Sequence, residues 1–179
     1  MNIPNLLTLV RIVLIPITVI FLMQGAFLKA LILLIISGIT DGLDGFFARV
    51  LNQQTVLGSY LDPLADKALL ASCLVTLSIK GVIPGWFTVV VISRDLIILI
   101  GIAILSIMSI RYEIRPSFVG KLTTTLQLLT LLFFLVFRIV PGTLNYLWLL
   151  TLQWITVAFT IISGFNYMMR GIKLNSSAT

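Results

Sequence analysis

Four of the six acidic residues in this 179-residue chain lie in one short segment. Asp41 and Asp44 are three residues apart, and Asp62 and Asp66 are four apart, so each pair lies on one face of a helix. Carboxylates at this density repel one another, and ionised groups beside hydrocarbon are strongly disfavoured. Such a cluster therefore requires a positive partner among the carboxylates.

The composition indicates a metal ion as that partner. The chain has no histidine and a single cysteine, Cys73, which excludes histidine-ligated zinc or haem and removes the commonest general base. Ligation by oxygen alone selects a hard cation, Mg²⁺ or else Mn²⁺ or Ca²⁺. Because four carboxylates exceed what one Mg²⁺ normally takes from protein, two ions that share carboxylates and a substrate phosphate fit better.

The elements that position these acids are predicted to be membrane-spanning helices. The chain is 59% hydrophobic and only 10% charged, with a mean hydropathy of +1.16, whereas a soluble domain is about 25% charged. One span needs about 20 apolar residues. We therefore expect an all-α integral membrane protein, a six-transmembrane-helix bundle forming a single catalytic domain over residues 1–179. The apolar runs place its helices at 6–23, 27–49, 57–79, 86–110, 118–136 and 146–169.

The loop between the second and third predicted helices is short, which predicts antiparallel neighbours whose acidic pairs converge on one point. Lysines and arginines set the orientation. If the N-terminus is cytoplasmic, that side receives Arg49, Arg111, Arg115, Lys121, Arg170 and Lys173, against Lys29, Lys80 and Arg138 opposite. The acidic segment is thus expected at the cytoplasmic face. The net charge of +6 suits an anionic lipid surface or substrate, while its scattered distribution argues against nucleic acid.

The residues around the acids match a longer pattern. Residues 41–49 and 58–66 satisfy D-x2-D-G-x2-A-R-x8-G-x3-D-x3-D at all eight fixed positions, so an accidental match is negligible. This segment resembles the signature of the CDP-alcohol phosphatidyltransferase family, and the resemblance includes the opening Ile-Pro-Asn-Leu-Leu-Thr at 3–8. Members of that family transfer a phosphatidyl group from a CDP-linked lipid to an alcohol and release CMP.

The resemblance implies a six-helix membrane fold, usually a homodimer, with a polar cavity open to the cytoplasm. By position, the four aspartates would bind two Mg²⁺ or Mn²⁺ ions, and Asp66 would also take the proton from the acceptor hydroxyl. A carboxylate at such a site can hold a metal and still face the alcohol. The residues implied to border the CDP group are Asp41, Gly45, Ala48, Arg49 and Gly58. The small residues among them also fit close helix packing.

An anionic acceptor requires basic residues near the carboxylates. The candidates are Lys67, Arg94, Arg111, Arg115 and Lys121. Arg94, which precedes Asp95 in the middle of a predicted span, has two interpretations: it pairs with a carboxylate to hold helices together, or it faces a polar substrate cavity. Arg111 and Arg115 equally fit anchors at the lipid headgroups.

Two subfamilies fit, and they differ in the acceptor. Phosphatidylglycerophosphate synthases, which use glycerol 3-phosphate, are similar at 3–8 and in the stretch Asp-Pro-Leu-Ala-Asp-Lys at 62–67. CMP-forming cardiolipin synthases, which use phosphatidylglycerol, are similar there and also at 83–84, 92–95 and 115–118. We expect CDP-diacylglycerol as donor and glycerol 3-phosphate as first acceptor, because the first subfamily is large and widespread in bacteria. The protein is then expected in a bacterial inner membrane.

The rival class is a cation transporter whose carboxylates bind the transported ion. A transporter predicts polar residues along a path through several spans and an inverted repeat. Here the acids cluster at one face and no repeat stands out. The enzyme is therefore the preferred interpretation.

Overall fold

Six α-helices make up the fold of the described residues. The computed structural model describes residues 3–50, 56–107, 118–142 and 145–176, and for 43–50, 56–60, 62, 102–107 and the two termini it describes the backbone alone. The helices are α1 Ile3–Met23, α2 Phe27–Val50, α3 Val56–Ile79, α4 Gly85–Ile107, α5 Phe118–Ile139 and α6 Tyr146–Ser176. The predicted all-helical class is confirmed, since these residues contain no strand.

Two helices extend beyond the predicted ends. Helix α5 includes Arg138, and α6 continues through Arg170 and Lys173, beyond the predicted ends at 136 and 169. A run of apolar residues indicates where contact with hydrocarbon ends, and the helix itself can be longer. Because arginine and lysine are good helix formers, a helix can continue past its apolar run into water.

Glycines in the left-handed region end three helices. Gly25, Gly81 and Gly142 follow α1, α3 and α5 with φ values of 77°, 68° and 93°. This conformation favours glycine, which has no side chain to clash with the backbone. The N–H groups of Gly25 and Gly81 donate to the carbonyls of Leu22 and Ser78, so both turns satisfy helix-end carbonyl groups.

The first of two compact units consists of Met1–Ile83 and Leu135–Pro141. It contains the first three helices, and in it α1 packs against both α2 and α3. Its core is apolar and includes Leu22, Ala30, Leu34, Leu69, Cys73, Leu74 and Leu77. Helix α1 is therefore the element that connects the two helices carrying the aspartates.

The second unit consists of Pro84–Phe134 and Gly142–Thr179. Helix α4 packs against α6, and the rings of Trp86 and Trp154 lie 5.2 Å apart between centroids. Polar contacts join α5 to α6: the hydroxyls of Thr130 and Thr156 are 2.7 Å apart, and Gln127 Nε2 donates to Thr160 Oγ1 at 3.4 Å. Side-chain hydrogen bonds of this kind hold helices together in a membrane, where apolar burial gives little driving force.

Two helices of the described residues are long and apolar enough to cross a membrane by themselves. These are Phe118–Ile139 and Tyr146–Tyr167, while the apolar part of α1, Thr8–Met23, is shorter. The count of six spans and the single catalytic domain stay predictions.

Candidate active site

The buried face of α1 carries a charge. Thr8, Arg11, Thr18 and Leu22 are all buried, and their spacing of three, seven and four residues keeps them on one side of the helix. Arg11 is the largest fully buried side chain among the described residues. A buried guanidinium is strongly disfavoured unless an anion pairs with it.

The aspartates of α2 and α3 continue the buried faces of their own helices. On α2, Asp41 follows the buried residues Leu34 and Ser37 by seven and four positions, and on α3, Asp66 precedes the buried residues Leu69 and Leu70 by three and four. Each carboxylate is therefore directed toward the side on which its helix packs. Since α1 packs against both helices, all three side chains meet there.

The three charged residues also lie at similar distances from their helix ends. Arg11 is eight residues after the start of α1, Asp41 nine before the end of α2 and Asp66 ten after the start of α3. At 1.5 Å per residue, these positions are about 12 to 15 Å from the respective helix ends. The match in depth allows one side chain of α1 to reach both carboxylates.

A single nitrogen atom joins the two carboxylates. Arg11 Nη1 lies 2.7 Å from Asp41 Oδ1 and 2.6 Å from Asp66 Oδ1. The two carboxylate oxygens consequently cannot be farther apart than these two distances together. The Arg11 side chain is 0% exposed, whereas those of Asp41 and Asp66 are 43% and 44% exposed. Each carboxylate thus contacts the buried guanidinium on one side and is accessible from outside the protein on the other.

The donor chemistry of this pair fits a hard cation. The two aspartates offer oxygen atoms close together and accessible from outside, as carboxylates at a two-ion site must. Asp44 lies one turn after Asp41 on α2, and Asp62 one turn before Asp66 on α3, but their side chains are outside the described residues. Within the described side chains, no third acidic or cysteine residue joins the pair. The four-aspartate metal site stays a prediction.

The residues implied to border CDP lie beside the aspartates in the sequence. Gly45, Ala48 and Arg49 belong to the last turns of α2 and Gly58 to the first turn of α3, where only the backbone is described. Their role stays a prediction.

The predicted acceptor-binding residues have different positions. Lys67 follows Asp66 on α3 and is partly exposed, and Lys121 is exposed in the first turn of α5. Arg111 and Arg115 lie outside the described residues. Acceptor binding stays a prediction for all of them.

Arg94 is buried in the second unit, with a side chain 7% exposed. Its Nη1 lies 2.6 Å from Asp95 Oδ1, its Nη2 donates to Ser163 Oγ, and its guanidinium carbon is 6.0 Å from the Tyr167 ring centroid. The ion pair with Asp95 lies within α4, whereas the contact with Ser163 ties α4 to α6. Acceptor binding by Arg94 stays a prediction.

Arg11 is the residue of the site that the sequence reasoning did not assign. Its signal was present, because a charged residue inside an apolar run needs a partner in the bundle. The clustered aspartates were the obvious anions for it. Helical periodicity within one segment, however, does not say which of four carboxylates a residue 30 or 55 positions away will contact.

Comparison with known proteins shows the family of this chain. The family model for CDP-alcohol phosphatidyltransferases matches residues 1–162. The chain belongs to the CDP-alcohol phosphatidyltransferase family and is an enzyme of that class, which confirms the prediction from the signature.

Its relatives carry two different names. The CDP-diacylglycerol–glycerol-3-phosphate 3-phosphatidyltransferase of Aquifex aeolicus is 33% identical over 178 residues, covering 97% of this chain and 98% of that protein. The protein of the same name from Bacillus subtilis is 31% identical, with 94% of each chain covered. The CMP-forming cardiolipin synthase of Rattus norvegicus is 33% identical over 96% of this chain and 62% of that protein.

Proposed function

We propose that this enzyme transfers the phosphatidyl group of CDP-diacylglycerol to glycerol 3-phosphate and releases CMP, acting in anionic phospholipid synthesis. The observation that carries the proposal is the meeting of Asp41 and Asp66, from different helices, at one buried guanidinium in a chain with the family signature. Two relatives named for this reaction align over nearly their whole length, which supports the choice of acceptor.

The reaction needs one proton acceptor. The acceptor hydroxyl oxygen bonds to the phosphorus that carries diacylglycerol, the bond from that phosphorus to the bridging oxygen breaks, and CMP leaves with the electron pair. Asp66 takes the hydroxyl proton. It suits this role because its side chain is 44% exposed and can face the acceptor, while Arg11 fixes one of its oxygens. Alignment of hydroxyl and phosphorus supplies much of the remaining rate.

Asp41, Asp44, Asp62 and Asp66 would hold two Mg²⁺ or Mn²⁺ ions. When bound, these ions would neutralise the diphosphate and stabilise the departing CMP. Arg49 and the small residues Gly45, Ala48 and Gly58 would border the cytidine diphosphate, with the backbone open to close approach.

The site is assigned to the cytoplasmic face of a bacterial inner membrane, in a six-span homodimer. Large apolar side chains are exposed on all six helices, for example Val13, Ile39, Leu64, Val89, Phe118 and Phe165. Lipid is the solvent that such surfaces fit. Trp86 and Trp148, exposed in the first turns of α4 and α6, match the aromatic residues found at membrane–water interfaces.

Basic residues would attract the phosphate of the acceptor. Lys67 is the candidate beside Asp66, and Arg94, Arg111, Arg115 and Lys121 are the others. Phosphatidylglycerol is the second candidate acceptor, because cardiolipin synthases are among the relatives and the sequence at 92–95 is similar to theirs.

The acceptor and the metal can be tested in one assay. Purified enzyme in lipid nanodiscs is given CDP-diacylglycerol with glycerol 3-phosphate or with phosphatidylglycerol, in Mg²⁺, Mn²⁺ or EDTA, and CMP and the product lipid are quantified by mass. We expect phosphatidylglycerophosphate and equimolar CMP, formed only with metal and glycerol 3-phosphate. A reaction without acceptor controls for hydrolysis.

Two results would change the assignment. Formation of cardiolipin from phosphatidylglycerol, with no use of glycerol 3-phosphate, would replace the first acceptor by the second. Undiminished turnover in EDTA would refute the metal assignment.

A further inference from the structure

We infer that Arg11 is a positioning residue that serves as the built-in counter-cation of the acidic pair. It holds Asp41 and Asp66 together when no metal ion is bound, and its charge lowers the affinity of the pair for metal. The inference rests on the proposed function, because it concerns two carboxylates that are assigned there to the metal site.

Arg11 belongs to α1, Asp41 to α2 and Asp66 to α3, so the contacts of 2.7 and 2.6 Å connect three helices through one side chain. The guanidinium is fully buried and cannot move into water without leaving the helix interface. The position of both carboxylates is therefore fixed from the protein side before any ligand arrives.

Two carboxylates this close repel each other, and the guanidinium between them compensates one of the two charges. Replacement of Arg11 by a neutral residue removes this compensation, which destabilises the metal-free protein. The same replacement removes a cation that repels an incoming divalent ion. Stability without metal and affinity for metal should thus change in opposite directions, which loss of packing alone would not produce.

The experiment compares Arg11→Gln and Arg11→Lys with a matched control, Arg138→Gln. Arg138 also lies in the first unit but is exposed, with its guanidinium carbon 5.7 Å from the Phe27 ring centroid. Cys73, the only cysteine, is fully buried on α3, the helix of Asp66. A thiol-reactive fluorescent dye therefore reports the opening of this unit during heating in EDTA. Binding of Mn²⁺ alone is measured by electron paramagnetic resonance of the free ion.

We expect Arg11→Gln to melt roughly 5 to 10 °C below Arg138→Gln in EDTA and to bind Mn²⁺ about 10-fold more tightly than the unmodified enzyme. Arg11→Lys, which keeps the charge, should recover at least half of the loss in melting temperature. In the double variant Arg11→Gln with Asp66→Asn, the remaining repulsion is relieved, so it should melt above Arg11→Gln alone.

Equal melting temperatures of Arg11→Gln and Arg138→Gln in EDTA would overturn the inference. So would Mn²⁺ binding by Arg11→Gln that is unchanged or weaker than a measurable binding by the unmodified enzyme. If Arg11→Gln does not accumulate, the charge-conserving Arg11→Lys variant is used instead. Because lysine keeps the charge, Mn²⁺ binding about 10-fold tighter than that of the unmodified enzyme would contradict the inference. Failure of the proposed function has a different signature, namely an unmodified enzyme that forms no product and binds no Mn²⁺. The comparison in EDTA would still decide whether Arg11 stabilises the pair.

Discussion

Replacing Arg94 by methionine removes the cation from a buried ion pair and leaves the carboxylate of Asp95 in place. Methionine fills a similar volume with an apolar chain, so the main change is electrostatic. The Arg94 side chain is 7% exposed and that of Asp95 is 14% exposed, with 2.6 Å between Nη1 and Oδ1. Solvent screening of this pair is therefore small. The substitution also removes the donor to Ser163 Oγ and with it a tie between α4 and α6.

The expected magnitude follows from this burial. Removing one partner of a buried ion pair lowers stability by about 3 to 5 kcal/mol. For a chain of this size, each kcal/mol lowers the melting temperature by about 2 to 4 °C. Arg94→Met should consequently melt roughly 6 to 20 °C below the unmodified enzyme. Asp95→Asn should also be destabilised, because it leaves Arg94 without this carboxylate.

Tryptophan fluorescence during heating is the appropriate assay, because all three tryptophans, Trp86, Trp148 and Trp154, lie in the second unit with Arg94. The double variant Arg94→Met with Asp95→Asn contains no uncompensated charge from this pair. We expect it to be destabilised by less than the sum of the two single variants. Steady-state kinetics with glycerol 3-phosphate, measured below the melting temperatures, test the acceptor role in parallel.

The opposite pattern would contradict a structural role for the Arg94–Asp95 pair. Arg94→Met could instead melt like the unmodified enzyme while its KM for glycerol 3-phosphate rises at least about 10-fold. Arg94 would then serve acceptor binding and not the stability of the fold. Additive effects of the two substitutions on melting temperature would likewise show that the pair is not coupled.

Two further substitutions test the site and the helix contacts. Asp66→Asn should lower kcat by about 10²-fold or more even at saturating metal, because asparagine cannot take a proton, and full turnover in a CMP-release assay would contradict the assigned base. Thr130→Val should lower stability by about 0.6 kcal/mol through loss of the hydrogen bond to Thr156. In melting followed by tryptophan fluorescence, adding Thr156→Val to Thr130→Val should not lower the melting temperature further. If each substitution lowers it independently, the two hydroxyls do not share a hydrogen bond.

The helices were predictable because their signal is local. Apolar runs bounded by polar turns and glycines located all six, and five of the six starting positions lie within one residue of those expected. The ends of α5 and α6 were wrong, because hydropathy measures contact with hydrocarbon while helix formation continues through residues such as Arg138 and Lys173. The acidic pairs could be predicted equally well from the sequence. The spacing of Asp41 from Asp44 and of Asp62 from Asp66 places each pair on one helix face without any tertiary contact.

Local patterns in the sequence were therefore enough to predict the helical class, the family and the residues with which chemistry should be associated. The contact partners are visible only in the folded molecule: α1 packs against both α2 and α3, Arg11 joins Asp41 to Asp66, and Arg94 binds Asp95 and Ser163. The physical reason is that periodicity orients a side chain about its own helix axis. Which charges from distant segments meet depends on which helix faces pack together, and that is set by the whole bundle.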